Sequence, residues 1–136
     1  MEKIVYDEKI IAIIIPAEFQ KDGIEFFTPN EFSQQLAYMK RPEGYSIEAH
    51  KHNLVHRQVF NTLETLFIRK GKVKIDFYSY DQKYIESRVL KTNDVILLAS
   101  GGHGFTMLEE TEMIEVKQGP YAGDKDKIRF EGNKNE

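Results

Sequence analysis

The sequence predicts a single all-β domain. Short segments rich in β-branched and aromatic residues recur roughly every eight to twelve residues, and residues that favour turns separate them. No segment shows the periodicity of a helix of four turns. This pattern is typical of a β-sandwich or a β-barrel, and the 136-residue chain is long enough for one such domain with a hydrophobic core.

Composition and charge exclude several classes of function. A formal net charge of −3 provides no broad positive surface for nucleic acid, so we expect no nucleic-acid partner. The chain has no cysteine, so a bound metal ion must be held by nitrogen and oxygen ligands. The charged N-terminus does not resemble a signal peptide, and the apolar run Ile10–Ile15 is too short to span a bilayer. We therefore expect a cytoplasmic protein without a membrane partner.

Residues 1–43 predict N-terminal strands that pack on the barrel or on a dimer partner. Ile10–Ile15 is apolar on both faces, which indicates a strand that is central in its sheet or covered by a partner chain. Ile24–Phe27 is a second short strand, and Phe32–Met39 is interpreted as a strand rather than a helical turn. Arg41–Gly44 then predicts a hairpin connection to a strand that carries the first histidines.

Residues 44–118 are predicted to form the core of the fold. After a loop, the alternation and the turn residues predict strands at Leu63–Arg69, Val73–Phe77, Tyr84–Leu90, Val95–Ala99, Phe105–Leu108 and Met113–Lys117, the last two joined as a hairpin. Residues 119–136 form a polar tail, and its last six residues, EGNKNE, are predicted to be disordered.

Four side chains in this core suggest a metal site. His50 and His52 are two residues apart and would project from one face of a strand. Glu64 begins the next predicted strand, with Leu66 and Ile68 on the same face, and His103 follows two glycines that allow a close approach of the backbone. A ligand set of His50, His52, Glu64 and His103 leaves positions open on a divalent ion, which is typical of a catalytic site.

At these residues the chain resembles a small single-domain cupin. The first cupin motif is a glycine, five residues, His-x-His, a short gap, a glutamate, six residues and a glycine; here these are Gly44, His50, His52, Glu64 and Gly71. Eleven residues separate His52 from Glu64, where three or four are usual, and His56 at the usual distance is an alternative third ligand. The second motif is represented by Asp94, VILLAS and Gly101-Gly102-His103, without its proline.

The resemblance implies a double-stranded β-helix, or jelly-roll barrel, that binds one divalent ion of Zn, Fe, Mn or Ni. It further implies a small-molecule substrate, a homodimer, and a place among the stand-alone cupins associated with surface-polysaccharide and nucleotide-sugar pathways. The leading hypothesis is a metal-dependent enzyme that acts on a sugar or sugar-acid derivative, as an isomerase or epimerase does. The alternatives are a ferrous-iron dioxygenase and a non-catalytic metal-binding or sugar-binding regulatory protein.

Other side chains have both a functional and a purely structural interpretation. Arg57, in the long loop, could hold a carboxylate, a phosphate or a sugar hydroxyl, although a solvated loop residue is the simpler interpretation. Tyr38 and Phe105 are candidate substrate contacts and equally candidate core aromatics. The catalytic residues are unknown; Tyr38 and an unligated His56 are candidate bases. Glu115 and Lys117 alternate with Ile114 and Val116, so we expect them on a solvent face.

Overall fold

A computed structural model describes residues 1–133 of the chain. It is all-β, with three antiparallel sheets, and the chain forms two compact units, Met1–Phe19 with Asn61–Glu136 and Gln20–Phe60. The strands of the described residues are β1 (Glu2–Tyr6), β2 (Lys9–Ile15), β3 (Gly23–Phe26), β4 (Ala37–Lys40), β5 (Glu64–Lys70), β6 (Lys72–Tyr78), β7 (Tyr84–Lys91), β8 (Val95–Leu98), β9 (Gly102–Met107) and β10 (Glu112–Lys117). No helix within residues 1–133 has the length and hydrophobicity needed to cross a bilayer.

The first unit contains two antiparallel sheets. The larger sheet has the strand order β1-β2-β8-β5-β10, and the smaller has the order β7-β6-β9. Strands β9 and β10 therefore belong to different sheets, so the predicted hairpin between them is wrong. Their sequence proximity favours pairing, but β9 pairs with β6 and β10 with β5.

The core of this unit lies between the two sheets. Strand β6 contributes Val73, Ile75 and Phe77, which are fully buried and alternate along the strand as the sequence predicts. Opposite them, the larger sheet contributes a second set of buried residues, namely Ile4, Ile11, Ala12, Ile14, Leu66, Ile68, Ile96 and Leu98. The two sheets thus pack face to face as in a β-sandwich. An ion pair also joins the two sheets: Arg88 of β7 donates hydrogen bonds of 2.9–3.1 Å to the Glu2 carboxylate of β1.

Strand β2 is central in the larger sheet, as one of the two sequence-based alternatives predicts. It lies between β1 and β8, and Ile11–Ile15 are buried without interruption. Strand β1 was not predicted from the sequence. Its hairpin turn is Asp7-Glu8, and both residues have positive φ angles of 50° and 64°. Asp-Gly or Asn-Gly is the usual sequence for such a turn, so the turn signal here is weak.

The second unit contains a two-stranded sheet of β3 and β4 and a long segment without strands. Strand β4 begins only at Ala37, because Gln35 closes the preceding loop: its amide donates to the carbonyls of Pro29 and Phe32, both at 2.9 Å. Residues 41–60 contain no strand, and every one of them is exposed. The predicted strand that carries His50 and His52 is therefore wrong. Alternation alone does not make a strand, because a strand needs a neighbour that satisfies its backbone.

The C-terminal segment after β10 belongs to the first unit and packs on the end of β6. The Phe130 ring meets the Tyr78 ring edge-on, with 5.1 Å between centroids, and the backbone N–H of Asn133 donates to Tyr78 Oη at 2.6 Å. Of the six residues predicted to be disordered, residues 131–133 are described and 134–136 lie outside the described residues.

Gly71 joins β5 to β6, and thus the larger sheet to the smaller one. Its φ is +102°, and a Cβ at this position would clash with the carbonyl oxygen of Glu110. Gly44, the other glycine of the first sequence motif, has a φ of +82° with no atom within 4 Å of a built Cβ. Glycine is therefore needed at position 71 both for the left-handed backbone and because a side chain would not fit. At position 44 it is needed for the left-handed backbone alone.

We predict that Gly71→Ala lowers the free energy of unfolding by about 3 kcal/mol, whereas Gly44→Ala lowers it by about 1 kcal/mol. The difference arises because only Gly71→Ala adds a clash with the backbone to the cost of a left-handed conformation. Urea unfolding of both variants measures the two values. Equal losses would contradict the assignment of a packing role to Gly71.

Candidate functional site

Two of the predicted site residues, Glu64 and His103, meet in the first unit. Glu64 is the first residue of β5, and it shares the interior face of the larger sheet with Leu66 and Ile68, as predicted, because alternate residues of a strand face the same side. His103 lies on β9, directly opposite Phe77 of β6. Directly paired residues of antiparallel strands share a face, so His103 points into the sandwich from the smaller sheet.

The glycines before His103 allow β9 to lie close to β6. A Cβ on Gly101, whose φ is +71°, would clash with the carbonyl oxygen of Tyr78. A Cβ on Gly102 would come within 3.0 Å of the Phe130 ring. The close backbone approach that the sequence predicts at these glycines is confirmed.

Glu64 and His103 form a partly buried pair that bridges the two sheets. The distance between His103 Nε2 and Glu64 Oε2 is 3.2 Å, and the exposed fractions of the two side chains are 28% and 13%. The hydrogen bond from His103 lowers the pKa of Glu64 below its ordinary value; partial burial opposes this effect, and the charges of His103, Lys117 and Lys127 add to it. Glu64 is therefore held as a carboxylate that accepts a hydrogen bond.

Lys117 belongs to this site, contrary to the expectation that it lies on a solvent face. It pairs directly with Glu64 across β5 and β10, so both side chains lie on the interior face. Its side chain is 26% exposed, and its Nζ lies 3.7 Å from Asp126 Oδ2. The apolar residues of the same strand, Ile114 and Val116, are instead 49% and 60% exposed on the outer face. The alternation of polar and apolar residues along β10 was predicted correctly, but the face that points to the core was predicted wrongly.

Lys117 also lines a polar cavity. Its volume is about 250 Å³, and its lining comprises Lys117, Tyr121, Gly123, Asp124, Asp126, Lys127 and Arg129. Six of these seven residues come from the C-terminal segment, which the sequence analysis treated as a polar tail. A cluster of alternating charges after the last strand was the available signal, but nothing in the sequence showed where the segment packs.

Phe105, a predicted substrate contact, lies beside the pair. Its ring centroid is 5.4 Å from that of His103, and it is partly exposed. The other two predicted substrate contacts, Tyr38 and Arg57, and the alternative ligand His56 belong to the second unit. Tyr38 is half-buried on β4, whereas His56 and Arg57 are exposed in the segment without strands.

His50 and His52 also lie in the second unit, with their ring centroids 5.4 Å apart. His50 Nδ1 is 2.9 Å from the carbonyl oxygen of Glu48. Residues 1–133 contain no group of three or more His, Asp or Glu side chains that could hold a metal ion. The four-ligand set of His50, His52, Glu64 and His103, and the choice between Glu64 and His56, stay predictions.

The geometry of Glu64 and His103 fits two neighbouring ligands of a metal ion. The oxygen and nitrogen of this pair are 3.2 Å apart, which is a hydrogen-bonding distance. A divalent ion would be held by Glu64 Oε2 and His103 Nε2 in place of the proton that they share.

Asp94, which represents the start of the second cupin motif, has a structural role. It is buried, and its carboxylate oxygens accept hydrogen bonds from the backbone N–H groups of Ala17 and Lys91, both at 2.8 Å. These bonds hold the turn between β7 and β8. They explain why an aspartate is buried at this position, with no need for a bound ligand.

In comparisons with known proteins, no family model, no curated protein and no solved structure matches this chain.

We predict that Glu64→Gln destabilises the metal-free protein at neutral pH and that this difference becomes smaller in acid. A carboxyl whose pKa is lowered by folding stabilises the folded state above its ordinary pKa of 4.5, and this stabilisation is lost as the pH falls through the lower folded value. Urea unfolding in EDTA at pH 7 and at pH 3 measures the effect. A difference that is the same at both pH values would show that the charge of Glu64 does not stabilise the fold.

Proposed function

We propose that this chain is a small metal-dependent enzyme of the cupin type that acts on a small polar substrate, a sugar or sugar-acid derivative. One observation carries the proposal: Glu64 and His103 come from opposite sheets and meet at a partly buried position. The sequence motifs predict these two residues as ligands of one ion, and their contact between the two sheets supports that prediction. The sugar class rests on the resemblance to small stand-alone cupins.

The residues of this site would have the following roles. A bound divalent ion would polarise a hydroxyl or carbonyl group of the substrate. Glu64, kept ionised by its neighbours, supplies a negative oxygen ligand, and His103 supplies a nitrogen ligand. The exposed part of the Phe105 ring offers an apolar surface beside His103 for the C–H groups of a sugar ring.

We predict that protein purified without added metal retains a first-row divalent ion, and that Glu64→Ala, His103→Ala and His50→Ala each weaken its affinity by about tenfold or more. Each substitution removes one donor atom of the predicted ligand set. Elemental analysis after dialysis measures retention, and Glu109→Ala is the control, because Glu109 is an exposed carboxylate outside the predicted ligand set. His56→Ala tests the alternative third ligand.

Two outcomes would contradict these assignments. Wild-type protein that retains no first-row metal would contradict the proposed function. Metal loss in His56→Ala with retention in Glu64→Ala would instead show that His56 is the third ligand. Conversion of a bound sugar, followed by NMR, separates an enzyme from a protein that only binds the sugar.

We also propose that the chain forms a homodimer through the outer face of β5 and β10. Strand β10 is an edge strand of the larger sheet, and Phe67, Ile114 and Val116 leave apolar surface exposed on the outer face next to that edge. Exposed apolar surface at the edge of a sheet favours association with another chain, and we propose a second copy of this chain as its cover.

We predict that the protein sediments at twice its chain mass of 15.9 kDa at micromolar concentration, and that Val116→Lys shifts it to the monomer. A lysine in the buried centre of an interface leaves a charge without water or a partner. Val89→Lys is the control, because Val89 is an exposed valine on a strand of the other sheet. A wild-type protein that sediments only as a monomer would contradict the dimer.

A further inference from the structure

The lining of the polar cavity contains more cations than acids. Lys117, Lys127 and Arg129 line it together with Asp124 and Asp126. Asp126 is already engaged: its Oδ1 accepts a hydrogen bond of 2.9 Å from Thr62 Oγ1, and its Oδ2 is 3.7 Å from Lys117 Nζ. Among the lining residues, Lys127 and Arg129 then remain with Asp124, and the charge of Lys127 also acts on the Glu64 carboxylate.

The two remaining cations, Lys127 and Arg129, are exposed side chains at this cavity. Neither makes a side-chain hydrogen bond or an ion pair with a residue of the described chain. Because neither side chain is held by a hydrogen bond or an ion pair, both are available to a ligand that enters the cavity. A guanidinium beside an ammonium suits an anionic group, because the guanidinium can donate two parallel hydrogen bonds to it.

The backbone that carries these cations is anchored on both sides. On one side Asp126 bonds Thr62 and pairs with Lys117. On the other side Phe130 packs edge-on against Tyr78 and contacts the position of Gly102. Lys127 and Arg129 lie between the two anchors, so little backbone entropy is lost when a ligand binds them.

The cavity is also adjacent to the candidate metal-binding pair. Lys117, which lines it, is directly opposite Glu64 across β5 and β10, and Gly102, which Phe130 contacts, precedes His103 in β9. The positive charges of Lys117 and Lys127 act on the Glu64 carboxylate itself. A ligand held by Lys127 and Arg129 would thus have its other end near Glu64 and His103.

We propose that this cavity is an anion subsite in which Lys127 and Arg129 bind the carboxylate or phosphate group of an acidic sugar. The inference rests on the proposed function, which it sharpens from a small polar substrate to an anionic one. The volume of about 250 Å³ lies below the range of about 300–1,000 Å³ that is usual for drug-sized ligands. The subsite therefore takes a single sugar ring with its acidic group.

Calorimetric titration of the full chain in EDTA tests the subsite separately from the metal. The probes are D-glucuronate, D-glucose 6-phosphate and neutral D-glucose. We expect both anionic sugars to bind, D-glucose to bind at least about tenfold more weakly, and added salt to weaken the anionic sugars alone. The tighter of the two anionic probes identifies the acidic group as a carboxylate or a phosphate.

Variants that each remove one positive charge test whether Lys127 and Arg129 bind the anionic group. We expect Lys127→Gln and Arg129→Gln each to weaken binding of the anionic sugars by about tenfold, since each removes one charge-assisted contact. Lys83→Gln, which removes a lysine at the turn between β6 and β7, should leave binding unchanged. Equal affinity for glucuronate, glucose 6-phosphate and glucose, or unchanged affinity in both subsite variants, would overturn the proposal.

The same titrations separate this subsite from the proposed function. Glu64→Gln should reduce metal retention while the metal-free protein still binds the anionic sugar. If wild-type protein binds the anionic sugar through Lys127 and Arg129 but retains no metal, the proposed function fails and the subsite stands. If metal retention depends on Glu64 and no anionic sugar binds, the subsite fails and the proposed function stands.

Discussion

The packing of two sheets across one apolar interior is the constraint on which the first unit depends. Strand β6 presents Val73, Ile75 and Phe77 to the interior, and all three are fully buried. Burial of side chains of this size stabilises the folded state by about 1.5–3 kcal/mol each, whereas a surface ion pair contributes about 0–1 kcal/mol. The larger sheet of the first unit covers this row. Gly71 matters for the same reason, because it directs the chain from one sheet to the other.

This packing also determines where polar side chains can lie inside the sandwich. In the row that crosses the larger sheet through Ala12 and Leu98, the next two residues are Glu64 and Lys117. A carboxylate on an interior face is unfavourable unless it has a partner. His103 supplies that partner from the smaller sheet, and Lys117 lies directly beside Glu64. The interior therefore changes from apolar to charged within a single row, at the end where the C-terminal segment packs.

Features that depend on alternation within one strand could be predicted from the sequence. Features that depend on which strand or sheet lies beside a segment could not. The all-β class, the strand boundaries of β5 to β8 and the interior orientation of Glu64 all follow from a period of two. The periodicity of residues 45–52 resembles a strand, yet nothing in it supplies the neighbour that a strand needs. The inverted orientation of Lys117 has a similar cause, because β10 has apolar residues on its outer face. Alternation separates two faces, but it does not say which one the sheet covers.

The charge state of Glu64 constrains the chemistry of the site. A carboxyl group in an apolar pocket has a raised pKa and can act as a general acid at neutral pH. Glu64 has the opposite environment, since His103 donates a hydrogen bond to it and Lys117 and Lys127 add positive charge, so its pKa is lowered. A carboxyl group that is ionised at neutral pH is a poor proton donor and a good ligand for a cation. The surroundings of Glu64 thus favour binding and polarisation over proton donation, and a proton needed for catalysis must come from another group.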